Sequence, residues 1–248
     1  MQGVRDLSPK MARETDMEMT MTDVDYVVRC ENIHKSFLMG KEAVQALRGI
    51  TLDVQRGEVV CLMGPSGSGK TTLLNILGGL EEPSRGHVIV DGENVISLSE
   101  DRLSELRLVK MGFVFQNYNL LANFTAQENV EVPMALAGMP KRARRRKAEA
   151  LLASVGLSDR AQHYPSEMSG GQQQRVAIAR ALANDPPILI GDEITGDLDS
   201  VTGFEVMEIV ARLNHEQGTT IIYVTHDPRM AKFATRLIQL RDGVIVED

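Results

Sequence analysis

Cysteine is nearly absent from this chain, basic charge is in deficit, and no hydrophobic run is long. Each shortage closes off a class of protein. The only cysteines among 248 residues are Cys30 and Cys61. They are too few for a disulfide framework and suit a reducing compartment, each as a small buried hydrophobe. Acidic residues outnumber basic ones by 34 to 27, a formal charge of −7, so the overall electrostatics give no case for nucleic acid as a partner. Apolar runs such as Val59 to Met63 and Ile221 to Val224 fall far short of the roughly 20 residues that a helix needs to cross a bilayer. The first residues are polar and acidic, unlike a secretory leader, and neither internal repeats nor low-complexity tracts are visible. The expectation is a soluble, intracellular chain, which does not exclude a membrane-embedded partner.

What is present is an ordinary globular composition, 43% hydrophobic and 25% charged, long enough for one large domain or a domain with a subdomain. Residues 1–24, rich in Met and charge, read as a mobile tail, and Met11, Met17, Met19 and Met21 compete as start sites. From Tyr26 short strand-like runs begin: "YVVRC", "ITLDV" and "EVVCLM". Later runs, "HVIV", "GFVF", "ILIG" and "TIIYV", alternate with helical stretches, which predicts an α/β core with a mainly parallel central sheet. Asp242-Gly243 between two apolar runs marks a β-hairpin. The stretch from about 117 to 165 reads as a helical insertion. It holds a capping box at Thr125 and Glu128, Pro140 in the first turn of the next helix, and Gly156 as a left-handed stop.

Two glycine-rich helix starts carry the chemistry. "GPSGSGKT", 64–71, matches the P-loop pattern with a strand before it and a helix after it. In such a loop, backbone N–H groups wrap a phosphate at a helix N-terminus, Lys70 neutralises phosphate charge and the Thr71 hydroxyl reaches Mg2+. "PPILIGDE" supplies acids after an apolar strand: Asp192 to bind the metal, and Glu193 to polarise an attacking water. The second start, "MSGGQQQR" at 168–175, has Ser169 as cap and two glycines that let backbone approach an anion.

With these motifs in order, the sequence resembles an ATP-binding cassette (ABC) ATPase over nearly all of Tyr26 to Asp248. The resemblance rests on the P-loop, Gln116 in "VFQNYN", "MSGGQ", "ILIGDE", "GDLD" and His226 in "VTHD". It implies a P-loop NTPase core spanning 25–248, with an N-terminal antiparallel β part and the helical subdomain at about 117–165. It implies ATP contacts from Phe37, by stacking on adenine, and from Gly64, Pro65, Ser66, Gly67, Ser68, Gly69, Lys70, Thr71 and Thr72. Metal contacts fall to Thr71, Gln116 and Asp192, and catalysis to Glu193, His226, Lys70 and Gln116. Ser169, Gly170, Gly171 and Gln172 would close over the ATP of a second copy of the chain, with Asp199 at the dimer seam. Three positions depart from the usual family pattern: Ile194 for Pro, Asp197 for Asn and Met168 for Leu. None removes a catalytic charge, though Asp197 adds a negative one near the interface.

The wording around 104–138 and 219–247 is similar to the subgroup of lipoprotein-releasing, macrolide-exporting and antimicrobial-peptide-resistance transporters. That likeness implies a homodimer around two ATP that drives a separate integral-membrane permease, docked on the helical insertion at the cytoplasmic face of the membrane. The alternatives are an importer's cassette or a soluble, non-transport ABC ATPase. "KRARRRK", 141–147, reads as a solvated helix face rather than a lipid-headgroup site.

Overall fold

The chain was described from a computed structural model over residues 25–40 and 42–248, so the segment read as a mobile tail lies outside the described residues. It opens on two long antiparallel strands, β1 (Tyr26–Met39) and β2 (Glu42–Gln55). The sequence suggested short runs here. Each instead extends over 14 residues, because the ladder absorbs irregularities, one of them at Asn32 with φ +50°. Next come β3 (Val59–Met63), α1 (Lys70–Leu77), β4 (Arg85–Val90) and β5 (Glu93–Asn94). The middle of the chain gives α2 (Glu100–Lys110), β6 (Met111–Val114), α3 (Ala126–Leu136), α4 (Lys141–Ser154) and α5 (Gly170–Ala181). The remainder is β7 (Ile188–Asp192), α6 (Ser200–Gln217), β8 (Thr220–Val224), β9 (Arg236–Arg241) and β10 (Val244–Glu247).

Two sheets result. One is antiparallel, in the order β2-β1-β4-β5. The other, β10-β9-β3-β8-β7-β6, is parallel except for β10, which returns through the Asp242-Gly243 hairpin. The inner parallel strands β3, β7 and β8 are buried along almost their whole length because both faces are covered. Alternation then sorts their side chains. Val60 and Leu62 of β3, with Ile222 and Val224 of β8, join a core with α1 and the antiparallel sheet. Val59, Cys61, Ile221 and Tyr223 face the other way and pack with α5, α6 and the buried side of α3 and α4. A sheet sandwiched in this way holds its strand ends rigidly, and the functional residues sit at those ends.

Between β6 and α5 the local signals are realised. The capping box of α3 is present, with the Thr125 side chain accepting from the Glu128 N–H and the Glu128 carboxylate accepting from the Thr125 N–H. Gly156 has φ +74°. Pro140 stands at the cap position of α4 rather than within its first turn, where its fixed φ still suits the entry. On α4, Arg144, Arg145 and Lys147 pair with Glu131, Glu149 and Asp185. Among the described residues no helix is long and apolar enough to cross a membrane.

Candidate functional site

The loop after β3 begins at Gly64 with φ +151°, and a Cβ there would stand 2.1 Å from the carbonyl oxygen of Leu240 in β9. At Gly69, the cap of α1, φ is +101° and a Cβ would stand 2.6 Å from the Ala46 carbonyl. Only glycine fits either position. The loop is braced from the hairpin side, where the Gly243 N–H donates to Ser68 O at 3.1 Å. The buried Lys70 ammonium donates to the carbonyls of Gly64 (2.9 Å) and Pro65 (3.0 Å). Ser68 Oγ is buried without a hydrogen-bond partner among the described residues.

Asp192 arrives from β7, one strand removed from β3, with β8 between them. Thr71 donates to its carboxylate at 3.2 Å. Burial raises the Asp192 carboxyl above the ordinary carboxylate range; the Thr71 hydrogen bond and the Lys70 charge oppose the shift, while Glu193 adds to it. Glu193, just past the strand, holds a left-handed φ of +49°, a strained conformation of the kind found at functional positions. Its carboxylate oxygens lie 2.8 and 3.0 Å from His226 Nδ1. An ionised carboxylate only accepts, so this pair requires the proton on Nδ1. Gln116, on the turn after β6, donates from Nε2 to Asp197 Oδ1 at 3.0 Å.

These groups converge on one open cavity of about 510 Å³, lined by Ser66, Gly67, Gly69, Lys70 and Thr71 of the P-loop with Thr72, by Gln116, Asp192, Glu193 and His226, and by Ala46. Sequence reasoning missed Ala46. It lies far upstream in "VQALRG" with no motif around it, and only the fold brings its backbone against Gly69 and Gly243. Gly64, Pro65 and Ser68 of the loop, together with Phe37, Ser169, Gly170, Gly171, Gln172 and Asp199, do not line this cavity. Phe37 sits within β1 opposite Val44, partly exposed, with the Lys35 ammonium 5.0 Å above its ring. Ser169 caps α5 in a reciprocal box with Gln172. Asp199 caps α6, accepting from the N–H groups of Val201 and Thr202 and from the Thr202 hydroxyl, which hold its carboxyl below the usual range.

A parallel-sheet strand that runs through a glycine loop into a helix, with a half-buried carboxylate against the loop's threonine, defines a P-loop nucleotide-binding protein. Within that class the family is fixed by comparison. The family model described as "ABC transporter" matches residues 47–196, and the chain belongs to that family, of which it is an ATP-binding cassette. It is 53% identical over 222 residues to the macrolide export ATP-binding/permease protein MacB of Brucella melitensis, covering 90% of this chain but 34% of that protein. The chain thus spans about a third of the length of the macrolide-export relatives it matches. It is also 46% identical over 223 residues to the uncharacterized ABC transporter ATP-binding protein MJ0796 of Methanocaldococcus jannaschii, covering 88% of this chain and 95% of that one. The solved dimer of that archaeal cassette, in a post-hydrolysis state bound to ADP and phosphate, superposes with a TM-score of 0.83 at 45% identity, over 89% of this chain and 97% of that one.

Proposed function

We propose that the chain is the Mg2+-dependent ATPase of a transporter: two copies close around two ATP molecules and drive a separate integral-membrane permease of the exporter, force-transmitting kind. The convergence of Thr71, Asp192, Glu193 and His226 on the P-loop cavity carries this reading. Backbone N–H groups of the loop would cradle the phosphates at the start of α1. Lys70, a three-donor ammonium already oriented by two loop carbonyls, adds charge beside the transferred phosphoryl group. The Thr71 hydroxyl and the Asp192 carboxylate, in mutual contact, are hard oxygen donors of the kind that Mg2+ takes, and with Gln116 they would hold it. When bound, that cation would neutralise phosphate charge. Glu193 orients and deprotonates the attacking water, and His226 fixes the Glu193 carboxylate while facing the γ-phosphate.

Ser169 to Gln172 present a capped helix start away from their own chain's cavity, which supports a role in closing a partner copy's site. Asp199, on the loop beside that start, would lie at the seam. For the permease, the reading is supported by an apolar groove of about 400 Å³ between the core and α3, with Leu80, Phe113, Phe115 and Pro133 on its walls. A cytoplasmic helix of the permease would dock there, placing the cassette at the inner face of the membrane. The macrolide-export relatives join both parts in one chain by name, which favours the exporter subgroup.

Glu193→Gln tests the reading. Steady-state ATPase should fall at least about 100-fold, the scale of a lost general base, while ATP binding persists and a nucleotide-bound dimer accumulates on size exclusion. The tagged, trapped variant should bring down an integral-membrane protein from detergent extracts. Near-normal turnover would overturn the Glu193 assignment, and capture of soluble partners alone would overturn the transport half.

A further inference from the structure

We infer that Asp197 is a positioning residue for Gln116, setting which end of the Gln116 amide is presented to the nucleotide cavity. This rests on the reading of Gln116 as a ligand of the bound cation. A glutamine amide has a donor end and an acceptor end of nearly equal size, so sterics alone do not select its flip. A cation takes only the oxygen. At the edge of the cavity the Gln116 Nε2 donates to Asp197 Oδ1 at 3.0 Å. An ionised carboxylate accepts and never donates, so Asp197 draws the nitrogen toward itself and leaves the oxygen as the end available to a ligand. Asparagine at 197 would satisfy either flip and select neither.

The surroundings leave this one degree of freedom to Asp197. The backbone just beyond Gln116 is clamped independently: the Arg180 guanidinium of α5 donates to the carbonyls of Tyr118 and Asn119, residues held at φ +57° and +49°. The Gln116 amide lies against Gly196, where a Cβ would stand only 3.1 Å from Nε2, so the residue beside Asp197 is one that leaves room for the bond. With the turn fixed and the space open, the amide orientation is what remains to be set. The charge of Asp197 strengthens the bond relative to a neutral pair.

Two measurements test the inference. In the 15N-labelled free protein, the Gln116 side-chain NH2 signal, identified by its loss in Gln116→Ala, should stand apart from those of exposed glutamines and return to them in Asp197→Ala. An unmoved signal overturns the contact. The second is a double-mutant cycle on affinity for a non-hydrolysable ATP analogue, titrated with and without Mg2+. Asp197→Ala should weaken the Mg2+-dependent gain about tenfold, the low end for a residue that orients a metal ligand, and leave Mg2+-free affinity unchanged. Asp197→Asn should fall between. In the Gln116→Ala background the Asp197 substitution should have no further effect. An equal loss in both backgrounds overturns the positioning role. If Gln116→Ala itself leaves the Mg2+ gain intact, the ligand reading of Gln116 falls and the proposed purpose of the contact falls with it, while the NMR result still reports whether the contact exists.

Discussion

Gly171 has two candidate reasons to lack a side chain. The sequence motif assigns its backbone to the approach of a phosphate. Within its own chain, a Cβ at 171 would stand 2.2 Å from Thr202 Cγ2 on α6, so close packing of two helices already demands glycine. Gly171→Ala should therefore destabilise the isolated cassette by about 1–3 kcal/mol, the usual cost of overpacking, visible as a lower melting temperature without nucleotide. Adding Thr202→Ser should recover most of it, because only the offending methyl is lost and the hydroxyl bond to Asp199 is kept. Failure of the pair to recover would return the glycine to the phosphate alone. At this scale the sequence was most readable where chemistry is local. Most of the P-loop, with Asp192, Glu193, Gln116 and His226, reached one cavity, and Ser169 was recognisable as a cap. Ala46 and the Asp197–Gln116 bond were not readable, since each depends on backbone brought from elsewhere in the fold.

Among the elements, α3 shows how a polar residue can organise a loop. Asn129, fully buried, accepts from the Leu121 N–H at 2.7 Å and donates to the carbonyls of Leu121, Phe124 and Thr125 at 3.0–3.1 Å. It fixes the segment that leads from the Gln116 turn into the helix. Asn129→Ala leaves the Leu121 N–H and the Phe124 carbonyl without that partner, while the Leu121 and Thr125 carbonyls keep their backbone donors from Phe124 and Asn129, at about 1–3 kcal/mol for each group left unsatisfied. A loss of at least about 2 kcal/mol is expected in urea unfolding with an unchanged m-value. An unaffected midpoint would mean that water replaces the side chain. The capping box beside it was legible because its partners are three residues apart. Asn129 was not, because an amide in a polar stretch of sequence gives no signal until its backbone partners are in place. The full length of β1 and β2 was hidden for a related reason: those residues are strands by virtue of each other, across bulges that interrupt any simple alternation.

For the whole molecule the decisive claim is stoichiometric. If each ATP is shared, a Lys70→Ala chain mixed with a Ser169→Arg chain forms dimers in which one site carries both lesions and the other carries neither. The mixture should then regain ATPase above either variant alone, approaching half the wild-type rate per mixed dimer, and no gain at any ratio would remove the support for shared sites. A different consequence follows from the neighbours of β3. The Val59 N–H bonds to a threonine 176 residues further along, and that of Gly57 to one 163 residues away; both flanking strands, β8 and β9, belong to that late region. Order of synthesis therefore runs against order of assembly. The strand that carries the phosphate loop leaves the ribosome early and then waits, on the order of ten seconds at ordinary elongation rates, as an unpaired apolar segment. The motif most recognisable in the gene is among the last parts of the nascent protein to acquire its shape.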